Sequence, residues 1–143
     1  MPSTPQDILD GIYLFSHTEH ANNLTVAEFV TDFINPLTTG NAVLYYAEKP
    51  NGVKTPAGLT TWCWFTNEQA DAFARGEFSP SLDDYAKRSG DQLWGVWMLA
   101  PFGHFKQVWK QMSDTCQSVY GPQKVHWIRL GKDTTNKIHE GKM

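Results

Sequence analysis

Apolar positions divide the chain into short segments whose periods predict both helices and strands. Residues 4–10 predict a short helical turn, with Pro5 tolerated near its start. Gly11–Phe15 (GIYLF) is short, apolar and partly β-branched or aromatic, and reads as a strand or a buried turn. The polar run SHTEHANN follows and leads into a helix start. Thr25 caps it, Glu28 comes three residues later, and Val26, Phe29, Val30 and Phe33 mark one apolar face. Asn35-Pro36 predicts its end. Asn41–Glu48 reads as a strand, Lys49–Thr55 with its Asn-Gly pair as a hairpin turn, and Ala57–Phe65 as the antiparallel return. Thr66 caps a helix to about Arg75, with Gly76 at its stop. Residues 79–91 predict loop and a short helix.

Leu93–Leu99 (LWGVWML) is a continuous apolar run and predicts a central buried strand, broken by Ala100-Pro101-Phe102-Gly103. His104–Met112 keeps helical spacing at Phe105, Val108, Trp109 and Met112. Lys124–Leu130 reads as a strand and Asn136–Glu140 as a candidate for another. A hairpin followed by helix, strand, helix and strand predicts an α/β (α+β) domain of three layers, with a mixed sheet flanked by helices. At 143 residues the chain has the length of one domain, residues 1–143, burying roughly two-thirds of its unfolded surface.

Charge narrows the function. A formal net charge of −3 lacks the basic excess of a general nucleic-acid binder. No apolar stretch reaches membrane-spanning length, and the opening residues lack the basic region and apolar run of a secretory signal. Cys63 and Cys116 fit no metal or redox spacing, so reduced cysteines in a cytoplasmic protein are the plain expectation, with a disulfide left open.

The candidate chemistry lies in the histidines. His17-Thr-Glu-His20 sets two imidazoles and Glu19 in one polar loop, the composition of a general base beside a carboxylate, or of two solvated side chains. The spacing has no third ligand to make a metal site. His104 follows Ala-Pro-Phe-Gly at a predicted helix start, as a neutral imidazole favoured by the helix or as an exposed first-turn residue. Serine-hydrolase elbows and phosphate-binding P-loops are absent.

The segment Ser89–Gly103 (SGDQLWGVWMLAPFG) resembles the most recognisable stretch of the RTX-toxin-activating lysine acyltransferases. Those proteins share the Ser-Gly-Asp, a Trp three residues on, and an apolar strand ending in Ala-Pro-Phe-Gly. The resemblance runs in order over nearly the whole chain. His20 stands before the Thr25–Asn35 helix, as the family's catalytic histidine stands before its own. Trp62-Cys63-Trp64 precedes a helix in the same way, and Trp127-Ile128-Arg129 with Gly141-Lys142 resembles the family's close.

The resemblance implies a GNAT-like fold, mostly antiparallel, that moves a fatty acyl group from acyl-acyl carrier protein to a protoxin lysine. His20 is then the base or transient acyl acceptor. The family's partner aspartate falls at Trp97 when the strand is aligned without gaps. Another carboxylate, Asp91 of the Ser-Gly-Asp turn or Glu19, then supports His20, or the chemistry is altered or lost. The coenzyme A pyrophosphate loop of ordinary GNAT enzymes is absent, which favours a carrier-protein thioester, or no thioester at all, over acetyl-CoA; no cofactor is expected. Acyl carrier proteins are acidic, so a basic patch is expected to dock one: Arg129, Lys132, Lys137 and Lys142, or Lys106 and Lys110. A homodimer is a further expectation from the family. The rival readings are a binding module that has lost catalysis, and a GNAT-like transferase acting on a nucleobase or small amine.

Overall fold

A computed structural model describes residues 4–130 and 136–142. Within that range the side chains of His20, Asn22 and residues 129, 130, 136–140 and 142 lie outside the described set. Helix α1 spans Pro5–Ser16. Its start is a reciprocal cap, in which the Asp7 N–H donates to Thr4 Oγ1 (3.2 Å) and the Thr4 N–H to the Asp7 carboxylate (2.8 Å). The segment Gly11–Phe15 is therefore helix, not the strand or turn its composition predicts. Gly11, Leu14 and Phe15 fall at the spacing of one helical face, and that face is buried.

After a 3₁₀ turn at Glu19–Asn22, Thr25 and Glu28 form a second reciprocal cap and open α2 (Val26–Phe29). The helix does not end at Asn35-Pro36. It passes through a π turn (Val30–Ile34), where the Asn35 N–H reaches back to the Val30 carbonyl, and resumes as α3 (Asn35–Thr38). Pro36 has no N–H to donate, and the wider turn just before it takes up the mismatch.

Strands β1 (Ala42–Glu48), β2 (Lys54–Phe65), β3 (Gln92–Leu99), β4 (Lys124–Leu130) and β5 (Asn136–Lys142) form one sheet in that order. The pairs are antiparallel except β3 with β4, which is parallel and brief: Leu93 meets Val125 and Trp94 meets His126. This is the mostly antiparallel, helix-flanked α/β sheet that the element order predicts, with β3 central as expected. Helices α4 (Asn67–Ala74) and α5 (Leu82–Ala86) join α1–α3 on one face, and α6 (Phe105–Tyr120) covers the other. Among the described residues no helix is long and apolar enough to cross a membrane.

Strand β2 alternates between the two faces: Leu59, Cys63 and Phe65 pack under α1–α5, while Trp62 and Trp64 pack with Met112 of α6. Strand β3 does not keep that alternation. Thr61 pairs with Trp97 and Trp62 with Gly95, so Val96 is an extra residue, a bulge. Leu93 and Gly95 lie on the α6 side. Beyond the bulge, Trp97 and Leu99 pack instead with Leu14, Phe15 and Phe33.

Thr66 caps α4 as the sequence predicts, accepting from the Gln69 N–H at 3.1 Å, and Gly76 follows at φ +74°. Thr66→Ala is expected to lower stability by about 1 kcal/mol, read as a lower denaturant midpoint with an unchanged slope. Cys63 and Cys116 are free and buried in separate clusters on opposite faces of the sheet. Burial pushes both thiols up to about 12, helped at Cys63 by Asp84. At pH 8 each is then roughly one part in ten thousand thiolate, the reactive form. The folded protein should therefore resist an aromatic disulfide reagent at pH 8 and consume two equivalents once denatured, followed by absorbance.

Candidate active site

The turn that carries His20 is held at both ends. The His17 N–H returns to the Leu14 and Phe15 carbonyls as α1 closes. The Thr18 N–H and hydroxyl both donate to the Phe15 carbonyl (3.0 and 2.8 Å), and the Ala21 N–H donates to the Thr18 carbonyl at 3.3 Å. Ala21 packs against the buried cluster of Leu14, Phe15 and Phe33. The backbone at His20 is thus fixed between two anchored neighbours, whatever its ring does.

His17 is exposed and sits edge-on to Tyr13 (4.8 Å) and Phe102 (5.1 Å). That contact joins the histidine turn to the Ala100–Gly103 loop at the end of β3. Two pieces of the chain that the sequence singled out separately are therefore neighbours. Beside the turn, Ile12, Phe15, Ser16, Ala21, Leu24, Thr25, Val26 and Phe29 line a groove of about 310 Å³ between α1 and α2. Below it runs a connected series of rings: Phe29 on Phe15 (5.2 Å), Phe15 on Phe33 (4.8 Å), and Phe33 on Trp97 (5.4 Å). Trp97, at the strand position that the resemblance gives to an aspartate, is a half-buried member of this layer, its N–H donating to Thr61 Oγ1 at 3.1 Å.

Asp91 is not brought to the histidine turn. It is exposed and immediately precedes Gln92, which pairs with Phe65, whereas the His17 contact lies beyond Leu99. The eight residues of β3 separate those ends by about 25 Å at 3.3 Å per residue. His20 stands only three residues from His17, a reach of at most about 11 Å. Asp91 therefore stands at the far end of β3 from the contact between His17 and Phe102. Glu19, the other carboxylate considered, is exposed in the same turn as His20.

The other histidines sit elsewhere. His104 precedes α6, half-buried and not exposed, with its ring 5.9 Å from Tyr45 and its Nδ1 buried without a hydrogen-bond partner. His126 stacks on Trp94 at 5.2 Å. The side chain of His139 lies outside the described residues, as do those of Arg129, Lys137 and Lys142 and the whole of Lys132. Of the second basic group, Lys110 is paired with Asp114 at 2.7 Å, while Lys106 is exposed. A larger cleft of about 480 Å³, lined by Tyr45, Lys54, Lys110 and Gln111 among others, lies between β1 and α6.

Two features went unread in the sequence. The groove is one: Ile12 and Phe15 share a helical spacing that the short apolar run GIYLF, equally suited to a strand or a buried turn, does not reveal. Asp32 is the other, half-buried in the π turn, where burial and the charge of Glu28 raise its carboxyl above the ordinary value.

The profile of the RTX toxin acyltransferase family matches residues 2–141. The lysine-acyltransferase RtxC of Vibrio cholerae serotype O1 is 30% identical over 137 residues, 92% of this chain and 82% of that protein. An uncharacterized Synechocystis protein, sll0720, is 24% identical over 106 residues, 73% of this chain and 67% of that one.

Proposed function

The chain belongs to the RTX toxin acyltransferase family, and from that membership we propose that it moves an acyl group from acyl-acyl carrier protein to a lysine side chain of a toxin-like protein. The observation that carries the reading is the family match over residues 2–141, which takes in both the histidine turn and the strand ending at Leu99. The lysine target is argued from the relative named a lysine-acyltransferase. The carrier-protein donor is argued from the missing coenzyme A loop. A GNAT-like fold and a cytoplasmic setting belong to the same proposal, the second supported by two buried free thiols.

Chemically, a lysine ammonium is no nucleophile until it loses a proton. In the proposed step the ammonium first gives one proton to solvent, and His20 takes a second from the nitrogen as the free amine attacks the thioester carbonyl. A C–N bond forms, the C–S bond breaks, and the proton passes on to the departing thiolate. Trp97 contributes no charge, and Asp91 is too far to act, so His20 works with Glu19 as the acidic residue of its own turn. Lys106, exposed on α6, offers a cation to an acidic carrier protein. The family's pairing into dimers is carried over as part of the proposal.

The test is incubation of the purified chain with a panel of acyl-carrier-protein and acyl-CoA thioesters and a lysine-bearing toxin fragment, followed by intact mass. Donor consumption with an acyl adduct on the fragment supports the reading and names the donor. No consumption and no adduct with any donor overturns it, and leaves a family member that binds without transferring.

A further inference from the structure

We propose that the groove between α1 and α2 seats the aliphatic chain of the acyl group, with Val26 and Ile12 at its open rim and Phe15 and Phe29 as its floor. The proposal rests on the acyl-transfer reading. It goes beyond it by assigning a chain site and the residues that select chain length.

Three observations single out this occupant. Among the described residues no charged side chain lines the groove; its polar members are Ser16 and Thr25. A headgroup, a nucleotide or a charged peptide would find no partner there, and an alkyl chain needs none. At about 310 Å³ the groove lies at the bottom of the range for ligand pockets, room for one slender chain. Its wall includes Ala21, next to His20, so a chain lying in it passes beside the residue proposed as the base for the attacking amine.

The rim supports the same occupant. Val26 is 81% exposed and Ile12 44%, on the outer faces of helices whose other sides are core. Apolar residues left in water on both lips of a cleft are covered when a chain lies between them. The floor sets a limit. Phe15 rests on Phe33, and Phe33 on Trp97, so the groove has no passage through to β3. Affinity should therefore rise roughly fourfold per added methylene while the groove fills, at about 0.8 kcal/mol each, and then level off.

Val26→Glu tests this with little risk to folding. The residue is exposed and occupies the first position of α2, where an acidic side chain suits the helix dipole. Wild type and variant are compared in two assays: titration calorimetry with straight-chain fatty acids from hexanoate to hexadecanoate, and acyl transfer from the matching acyl-carrier-protein thioesters, with the acetyl thioester as the short reference. The expected result is a rise and plateau in wild type. In the variant, affinity and transfer should fall on the order of tenfold for the chains at the plateau, about two methylenes' worth, and least for the acetyl donor.

Transfer with the same chain-length profile in both proteins would overturn the groove assignment and leave acyl transfer standing. Chain-dependent binding that Val26→Glu abolishes, with no transfer by either protein, would keep the chain site and sink the transfer reading. Binding that does not change with chain length overturns the proposal and gives the groove to a protein segment or a second copy of the chain.

Discussion

His20→Ala is expected to lower the rate of acyl transfer about a hundred- to ten-thousand-fold, the range lost when a general base is removed, without unfolding the protein. Folding should survive because backbone hydrogen bonds and a core contact of neighbouring residues hold this turn. His17, Thr18 and Ala21 donate the bonds, and the Ala21 side chain makes the core contact. Alanine also imposes no backbone restriction at a 3₁₀ position. The measurement is single-turnover transfer under saturating donor, with circular dichroism and a thermal midpoint for each protein.

His17→Ala is the matched control. Its ring lies between Tyr13 and Phe102, so its loss should cost about 1 kcal/mol of stability and leave the rate close to that of wild type. Equal rates for wild type and His20→Ala would remove His20 from the mechanism. A large loss in His17→Ala with none in His20→Ala would move the base three residues upstream.

Legibility in the sequence followed the range of the interactions involved. Caps are local: Thr25 with Glu28 and Thr66 with Gln69 are written within four residues, and both helices begin where those residues place them. The Asn51-Gly52 turn is local too, and Gly52 takes the positive φ of +81° that the pair predicts. Gly11–Phe15 failed because five apolar residues fit a strand as well as a helix. The deciding signal was the Thr4–Asp7 cap seven residues upstream of Gly11. Asn35-Pro36 predicts a stop because proline disfavours helical backbone in the residue before it, yet Asn35 stays helical where the π turn of Val30–Ile34 makes room.

For the site, the histidine turn was legible because polar residues between two apolar helices can only be a surface turn. Its partners were not. Asp91 lies close in motif, twelve residues before Gly103, yet an extended strand converts that separation into distance. The bulge at Val96 is likewise invisible in LWGVWML, where every residue is apolar or glycine. No alternation exists to show that the face changes.

That bulge governs the second large effect. Restoring the family's carboxylate by Trp97→Asp is expected to destabilise the protein by about 3–5 kcal/mol and to yield no gain in transfer. Without the bulge, residue 97 would share the α6 face with Leu93. With it, the Trp97 ring rests on Phe33 in the layer under α1–α3. Shortening it to Asp removes that ring contact and leaves a space above Phe33 lined by Leu14, Phe15 and Leu99. A carboxylate facing those apolar groups is disfavoured in its charged form, so its pKa rises and it loses the charge that would polarise an imidazole. Trp97→Phe, which keeps an aromatic ring against Phe33, should recover most of the stability. Denaturant unfolding of the three proteins gives the stability order, and transfer assays below the midpoint of the weakest variant give the activities. A Trp97→Asp protein as stable as wild type and faster in transfer would mean that position 97 opens toward His20, and that the aromatic layer is a replacement for the missing charge and not a barrier to it.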